Sequence, residues 1–317
     1  MSEAIKTAEK AINAAHVAEL HRALEGQATT TEPVKAQQPQ PPAKILQFPL
    51  PFGDETRAVS NSFARGSLFA AVKERQHFKD YVLVGEQDGV KIEFKGEQLN
   101  QDDHDTLLQL VKMANHKAFG VDVCQAVNAV LRGLERSTGQ SQRSQVIGEV
   151  SRLVCGTVRL TTPNVCYEGH LLDDATTPQH QAMLPRYRRH LAYRLNPKFS
   201  RFYDKTAFTL IDQQQRQKIG RNPLAKWLHL WIVSNADQYP HKVETIREKC
   251  GSKTKELYKF RQNLRAALDQ LKAAEIITAW QINPESDLVT IERTPSASQQ
   301  KHIIKKASRK PRKLDTD

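Results

Sequence analysis

Cysteine is scarce in this chain. Four cysteines occur among 317 residues, at positions 124, 155, 166 and 250, and no two of them form a C-x-x-C pair. A zinc ribbon binds its metal through such closely spaced pairs, and a disulfide-stapled domain is far richer in cysteine. The sequence therefore excludes both, and we expect the four residues to be reduced and to pack as small buried hydrophobic side chains.

Long apolar runs are missing as well. No stretch approaches the roughly 20 consecutive apolar residues that a membrane helix needs. The N-terminus, MSEAIKTAEKAINAAHVAEL, lacks the basic-then-apolar order of a secretory signal. Residues 2–25 follow a helical pattern, but their apolar side is mostly alanine and too weak to anchor a membrane. We therefore predict a cytoplasmic protein without a membrane partner.

Recognisable catalytic motifs are absent too. The stretch GSKT at residues 251–254 resembles the end of a phosphate-binding loop, but Ser252 and Arg247 stand where that motif requires glycine. The histidines are scattered, and no hydrolase or metalloprotease spacing occurs. We predict a protein that is not an enzyme and has no catalytic residue, cofactor or metal. The enzymatic alternative is a DNA-nicking relaxase, which needs a nucleophilic tyrosine and a histidine cluster that the sequence does not present.

Positive charge is the feature in excess. The net charge is +12, and the isoelectric point is near 9.5. Seven Lys or Arg residues fall between Lys301 and Lys313 alone. Such a balance favours a polyanionic partner, and the weak N-terminal helix makes nucleic acid a better candidate than a membrane surface.

Composition and hydrophobic period divide the chain into five regions. The predicted regions are an N-terminal helix with a disordered Pro/Gln-rich linker (1–44), a short apolar segment (45–59), a first domain (60–185), a second domain (186–294) and a disordered basic tail (295–317).

The two predicted domains share one order of elements. In the first domain we predict helices over 100–115, over 123–133 and within the stretch STGQSQRSQVIGEVSRLVCG (137–156), then strands Thr157–Thr161 and Cys166–Leu172. In the second we predict helices over 223–235, 243–250 and 254–274, then strands over 278–282 and 288–293. Three helices and a β-hairpin are the layout of a winged helix, whose third helix enters the DNA major groove. The predicted class is α+β, with two tandem winged-helix domains.

Candidate DNA-binding residues lie opposite the apolar side of each third helix. In the second domain they are Lys253, Lys255, Tyr258, Lys259, Gln262 and Arg265. We expect Lys255, Lys259 and Gln262 to read base edges and Lys253 to hold a phosphate. The alternative is a solvated basic face, which is what most charged helix faces are.

The first domain offers a smaller and more polar face. Its candidates are Ser141, Arg143, Ser144, Gln145 and Arg152. Small polar faces also suit protein–protein packing. Between the domains, a basic and aromatic stretch adds Arg186, Arg188 and Arg189 as phosphate contacts, while we expect its aromatic side chains to belong to the core.

The sequence resembles the TrfA-type plasmid replication initiators. The resemblance runs from NSFARGSLFAAV and VKIEFKGEQLNQDDHDTLLQLV to YPHKVETIREKCGSKTKELYKFRQNLRAALDQLKAAEIITAW, over roughly residues 45–293. It implies binding of iteron repeats in a plasmid origin by both winged helices, with monomers active and dimers inactive. It also implies opening of an AT-rich region, with contacts to that single-stranded DNA, and recruitment of the host DnaA, the helicase DnaB and the β sliding clamp.

The stretch ILQFPLPFG at residues 45–53 is the candidate clamp-binding segment. Gln47, Leu50 and Phe52 fit a Q-x-x-L-x-F pattern at the place that the resemblance implies, although Pro51 separates the leucine from the phenylalanine. An extended peptide of this kind presents apolar anchors to a preformed pocket. The alternative is that the phenylalanines pack on the protein's own core.

These observations together predict an origin-binding plasmid replication initiator. The alternative of the same class is a winged-helix transcriptional repressor, which binds an operator but neither opens DNA nor binds a clamp.

Overall fold

The computed structural model describes residues 53–296 except 88, 115–116, 118, 162, 164–165, 178–189 and 204–206, together with 299–301, 303–304 and 308. The chain separates into residues 1–44 and residues 45–317, and everything described belongs to the second part.

Helices and small antiparallel sheets alternate along the chain. The helices are α1 (Asn61–Ala64), α2 (Gln101–Met113), α3 (Val127–Gly133), α4 (Gln140–Cys155), α5 (Gln213–Lys218), α6 (Pro223–Ser234), α7 (Val243–Lys249) and α8 (Leu257–Ala273), with a 3-10 helix at Pro197–Tyr203. The strands are β1 (Thr56–Ser60), β2 (His77–Gln87), β3 (Val90–Glu97), β4 (Asp122–Ala126), β5 (Thr157–Thr161), β6 (Cys166–His170), β7 (Leu172–Thr176), β8 (His190–Leu195), β9 (Phe208–Asp212), β10 (His241–Lys242), β11 (Ala279–Ile282) and β12 (Leu288–Glu292). The predicted α+β class is confirmed. Within the described residues, no helix combines the length and the apolar character needed to cross a bilayer.

One order of elements occurs twice. The first module consists of α2, β4, α3, α4, β7 and β8, and its sheet has the order β4-β8-β7. The second module consists of α6, β10, α7, α8, β11 and β12, and its sheet has the order β10-β12-β11. In each module a strand follows the first helix, and two further strands after the third helix complete an antiparallel sheet with it.

The hairpin predicted to complete the first module belongs to a different sheet. Strands β5 and β6 pair with each other as predicted, from Thr157 opposite His170 to Thr161 opposite Cys166. However, β5 also pairs with β3, so the hairpin extends the β2-β3 hairpin into a sheet of order β2-β3-β5-β6. Val158 and Leu160 of β5 are buried there. The strands that close the first module are β7 and β8.

Two boundaries differ from the prediction. The helix predicted from residue 123 begins at Val127, because residues 122–126 form β4 and pair with β8. The domain boundary predicted at residues 185/186 assigns β8 to the second domain, but Leu191 and Tyr193 are buried in the core of the first module. Phe199 and Phe202 are buried in the same core. The first core therefore extends to Tyr203. Tyr193, Phe199 and Phe202 are core residues as predicted, while Tyr187 lies outside the described residues.

The start of α2 is fixed by a capping box, at the residue predicted to cap it. The Asn100 side chain accepts hydrogen bonds from the backbone N–H groups of Asp102 and Asp103. The Asp103 carboxylate accepts the Asn100 N–H at 2.8 Å. This arrangement satisfies N–H groups that have no partner within the helix.

Each module has its own hydrophobic core, and residues 56–71 contact both. Strand β1 pairs antiparallel with β9, about 150 residues later, and Ala58 lies in the first core. Ala71 packs against the second core. The indole N–H of Trp227 in α6 donates to the carbonyl of Gly66 at 2.9 Å. A small third cluster, which includes Val59 and Leu230, lies between the two main cores.

Candidate nucleic-acid interface

The third helix of the second module, α8, has one buried and one exposed side. Its buried residues are Phe260, Leu264, Ala267, Leu268 and Leu271. Its exposed residues toward the N-terminal half are Tyr258, Lys259, Gln262, Asn263 and Arg265. Tyr258 is 69% exposed, a large fraction for an aromatic side chain. The exposed side combines hydrogen-bond donors, positive charge and an aromatic ring, which suits contact with nucleic acid.

Lys255 was predicted on this helix but lies before it, and Lys253 precedes both the predicted and the observed start. Helix α8 begins at Leu257 because Glu256 is extended, with φ −77° and ψ 121°. Lys253 and Lys255 therefore belong to the turn between α7 and α8. The Lys253 ammonium donates to the carbonyl of Glu74 at 2.9 Å. The Lys255 side chain is exposed, and its carbonyl accepts a hydrogen bond from Arg247 at 2.8 Å.

A bidentate ion pair connects α8 to the β11-β12 turn. Two guanidinium nitrogens of Arg261 donate to the two carboxylate oxygens of Asp287, each at 2.8 Å. This hydrogen bond, supported by the positive charges of Arg261 and Arg265, lowers the pKa of Asp287 despite partial burial. Arg261 therefore orients the helix against the hairpin, which leaves Gln262 and Arg265 facing outward.

The third helix of the first module, α4, exposes Ser141, Ser144 and Gln145 as predicted from its period. Gln145 donates to Glu149 one turn later at 3.0 Å. The Arg143 guanidinium donates to Asn128 of α3 at 3.1 Å. Arg143 thus joins α4 to α3, and Ser141 and Ser144 are the more accessible polar groups of this face.

Arg152 is occupied by contacts inside the first module. Its guanidinium donates to Asp103 at 2.9 Å, and Asp103 is fully buried at the start of α2. Arg75 contacts the other oxygen of the same carboxylate at 3.1 Å. A buried carboxylate needs such paired cations. The structure therefore gives Arg152 a role in holding α4 against α2, and its predicted contact with DNA stays a prediction.

The loop between α5 and α6 lies between the two exposed faces. Arg221 in this loop lines a cavity of about 560 Å³ together with Gln142 and Gln145 of α4. The same arginine lines a second cavity, of about 480 Å³, together with Asn263 and Ala266 of α8. The outward faces of α4 and α8 therefore flank one loop that carries an exposed cation. A single Arg in a loop has no periodic signal, so the sequence did not single it out.

Several predicted site residues lie outside the described part of the chain. These are Gln47, Leu50 and Phe52 of the candidate clamp-binding segment and Arg186, Arg188 and Arg189 of the basic stretch. By position, the three arginines belong to the connection between β7 and β8. Both assignments stay predictions.

Among the described residues, no group of three or more His, Cys, Asp or Glu side chains could hold a metal ion. All four cysteines are free, but only Cys250 is buried, and the other three are exposed. The expectation of four buried thiols is therefore wrong for Cys124, Cys155 and Cys166. Their helices and strands have a solvent-facing side, which the spacing of single cysteines does not reveal.

The architecture defines a class with a known structural counterpart. This α+β chain with two helix-rich modules is similar in fold to a crystal structure of domains 2 and 3 of RctB. The match has a TM-score of 0.53 at 11% identity and covers 74% of this chain and 98% of that chain. A second structure of the same RctB domains gives a TM-score of 0.44 at 12% identity, over 70% of this chain and 84% of that one. At these identities the likeness concerns the fold alone.

The family follows from the sequence. The model of the TrfA protein family matches residues 26–293, most of the chain. The chain belongs to the TrfA family. A curated relative, the plasmid replication initiator protein TrfA of Escherichia coli, is 23% identical over 249 residues. That alignment covers 77% of this chain and 63% of the relative, so the chain spans less than two thirds of the relative's length.

Proposed function

We propose that the protein is a plasmid replication initiator that binds repeated sites in origin DNA through two winged-helix modules. Membership of the TrfA family supports the initiator role. In each module, the helix order and the sheet formed by one strand before the second helix and two after the third agree with a winged helix. In this assignment α4 and α8 are the recognition helices.

One observation carries the proposal. The exposed faces of α4 and α8 both border the loop that contains Arg221, and we propose that a single duplex crosses this loop and contacts both faces. Lys73 lines the cavity on the α8 side and adds a second cation beside the loop. Phosphate contacts by Arg221 and Lys73 would hold the duplex in place while the helices read bases.

Within α8 and the turn before it, we assign base contacts and phosphate contacts by the position of each residue. Lys259 and Gln262 lie in the N-terminal half, the part of a recognition helix that reaches base edges. Glutamine pairs with adenine and lysine with guanine in the major groove. Lys253 and Lys255 lie in the preceding turn, and we propose that both contact phosphates; the base-reading role expected of Lys255 stays a prediction.

The partners follow from the same assignment. We propose that the chain acts in the cytoplasm, binds iterons as a monomer with self-association as the inactive state, and recruits DnaA, DnaB and the β sliding clamp. The clamp contact is assigned to Gln47, Leu50 and Phe52. Both these host contacts and the absence of an enzymatic activity are proposals that rest on the family and the sequence.

Fluorescence anisotropy with origin repeats and with scrambled DNA, over a salt series, tests the proposal. We expect a preference of about 10³ or more for the repeats and a steep salt dependence. Gln262→Ala should weaken binding to the repeats by roughly 10- to 100-fold and leave binding to scrambled DNA unchanged.

A control on the same helix separates base reading from general attraction. Lys272 is exposed in the last turn of α8, far from the N-terminal half. Lys259→Ala should cost much more affinity for the repeats than Lys272→Ala, although both remove one charge. Equal affinity of the unaltered protein for repeats and scrambled DNA would overturn the proposed function. A preference for an operator with no preference for the repeats would favour the repressor.

A further inference from the structure

The two modules meet through a buried cluster of charged side chains. Arg216 of α5 is only 2% exposed. Its Nε donates to Asp105 at 2.9 Å, and a terminal nitrogen donates to the Gln101 side chain at 2.9 Å. The other terminal nitrogen donates to the carbonyl of Lys226. One guanidinium therefore bonds both α2 of the first module and α6 of the second.

Lys226 completes the cluster from the second module. Its ammonium lies 2.7 Å from one oxygen of Asp105 and 3.2 Å from Asp102. Burial alone would raise the pKa of Asp105, but the charges of Arg216 and Lys226 outweigh burial and lower it. The cluster thus holds two cations and two carboxylates, of which Asp102 is the most exposed.

Such a cluster specifies the relative orientation of the helices more than it adds to the free energy of unfolding. Removing two cations and a carboxylate from water is costly, and apolar side chains of similar size are often at least as stabilising. Charged hydrogen bonds, however, are satisfied only at one distance and angle. The small apolar cluster between the modules, with Leu108 and Ile211, makes contacts without directional preference. The Arg216 guanidinium permits one relative position of α2, α5 and α6.

The cluster borders the same cavity as the proposed DNA surface. Asp102, Asp105 and Lys226 line the same cavity as Gln145 of α4 and Arg221 of the loop. Any rotation of α2 against α6 would therefore change the distance between the exposed faces of α4 and α8. On DNA, each additional base pair displaces two half-sites by about 3.4 Å and turns them by about 34°.

We propose that Arg216, Asp105 and Lys226 fix the relative orientation of the two modules and thereby determine which spacing of half-sites the protein accepts. These three are positioning residues, because none of them touches DNA in the proposed complex. The inference rests on the proposed function, since it assumes that both modules read the same duplex.

Binding to repeats with one, two, five or ten base pairs inserted between the two half-sites tests the inference. We expect the unaltered protein to lose at least about tenfold in affinity at one or two inserted base pairs, which corresponds to about 1.4 kcal/mol. In the double variant Asp105→Leu with Arg216→Met, which removes one charge of each sign, that insertion penalty should fall below about threefold. The Lys226–Asp102 pair remains in this variant.

Two further variants keep the test decisive. Arg216→Lys retains the charge but loses the planar fork, so its penalty should lie between those of the other two proteins; this variant also serves if the double variant does not fold. Arg159→Met with Glu168→Leu removes an exposed ion pair of the four-stranded sheet, with a 2.6 Å contact, and should keep the full penalty. A folded cluster variant that keeps the full penalty overturns the inference.

A measurement without DNA separates this inference from the proposed function. Pulsed electron paramagnetic resonance between spin labels at Ser151 in α4 and Lys272 in α8, with the three exposed cysteines replaced by serine, reports the distance between modules. The distribution should be narrow in the otherwise unaltered protein and broader in the cluster variants. Equal widths would refute the positioning role even if repeat binding is confirmed. If the protein does not prefer the repeats but the distance distributions of the unaltered protein and the cluster variants differ in width, the proposed function alone is refuted.

Discussion

Two fully buried histidines should make the folded protein sensitive to mild acid. His104 in α2 and His229 in α6 are each only 1% exposed. Within the part of the chain that the structure describes, neither ring nitrogen of either residue has a hydrogen-bond partner. His104 stacks on Phe69 with ring centroids 4.0 Å apart. Burial, and then the positive charge of Arg216, lowers the pKa of both histidines to about 3.

The direction and size of the effect follow from linkage. An unfolded histidine has a pKa of about 6.5, so on acidification the unfolded chain takes up protons before the folded one does. The stability contribution is therefore complete above about pH 6.5 and is lost as the pH falls toward 3. Between pH 7.5 and 5.5 the expected loss is about 1.4 kcal/mol for each histidine and roughly 3 kcal/mol for the pair. That is a large part of a typical unfolding free energy.

Urea unfolding at pH 7.5, 6.5 and 5.5, followed by far-ultraviolet circular dichroism, measures this loss. The double variant His104→Leu with His229→Leu removes both titrations, and the apolar replacements leave no described hydrogen-bond partner unpaired. Its stability should change little over this pH range. His77→Gln alters an exposed histidine of β2 and serves as the matched control, which should follow the unaltered protein. The reasoning is refuted if the unaltered protein loses less than about 1 kcal/mol, or if the double variant retains the whole loss.

Two further sets of substitutions test the turn at Gly251 and the proposed binding to the sliding clamp. Gly251 has φ +66°, and an added Cβ would lie 2.8 Å from the Cβ of Ser67. Gly251→Ala should therefore lower the free energy of unfolding, measured in urea, by roughly 1–3 kcal/mol. The control is Gly139→Ala, whose added Cβ meets nothing within 4 Å and which should be nearly neutral. Equal stabilities of the two variants would contradict this view of the turn. Leu50→Ala with Phe52→Ala should abolish binding to the β sliding clamp in surface plasmon resonance and leave repeat binding unchanged; retained clamp binding would remove the segment from its proposed role.

The long helices could be read from the sequence because each carries a complete periodic signal. Helices α2, α4, α6 and α8 have buried residues three and four positions apart, and the Asn100 cap of α2 is visible before any contact is known. The same signal identified the exposed residues of α8. Its start was placed three residues too early because Thr254, Lys255 and Glu256 are compatible with a first helical turn.

Partners that are distant in the sequence could not be inferred in this way. Residues 123–126 of β4 were predicted as helix because they run directly into α3, and only pairing with β8 makes them a strand. Arg152 looked accessible because its partner, Asp103, is 49 positions earlier. Arg221 was missed because its position between two helix faces depends on how the modules pack. In each case the deciding term is a long-range contact rather than a local preference.

The pairing of β1 with β9 has a consequence for how the chain folds as it is synthesised. Thr56 pairs with Asp212 and Ser60 with Phe208. During synthesis β1 therefore has no partner strand until more than half of the remaining chain has emerged from the ribosome. Strand β4 likewise waits for β8. Pairings of such long sequence separation form slowly, and unpaired edges invite association while they wait. A fragment that ends before Phe208 would lack the whole of β9, so an N-terminal fragment that keeps the β1-β9 pairing must extend through β9.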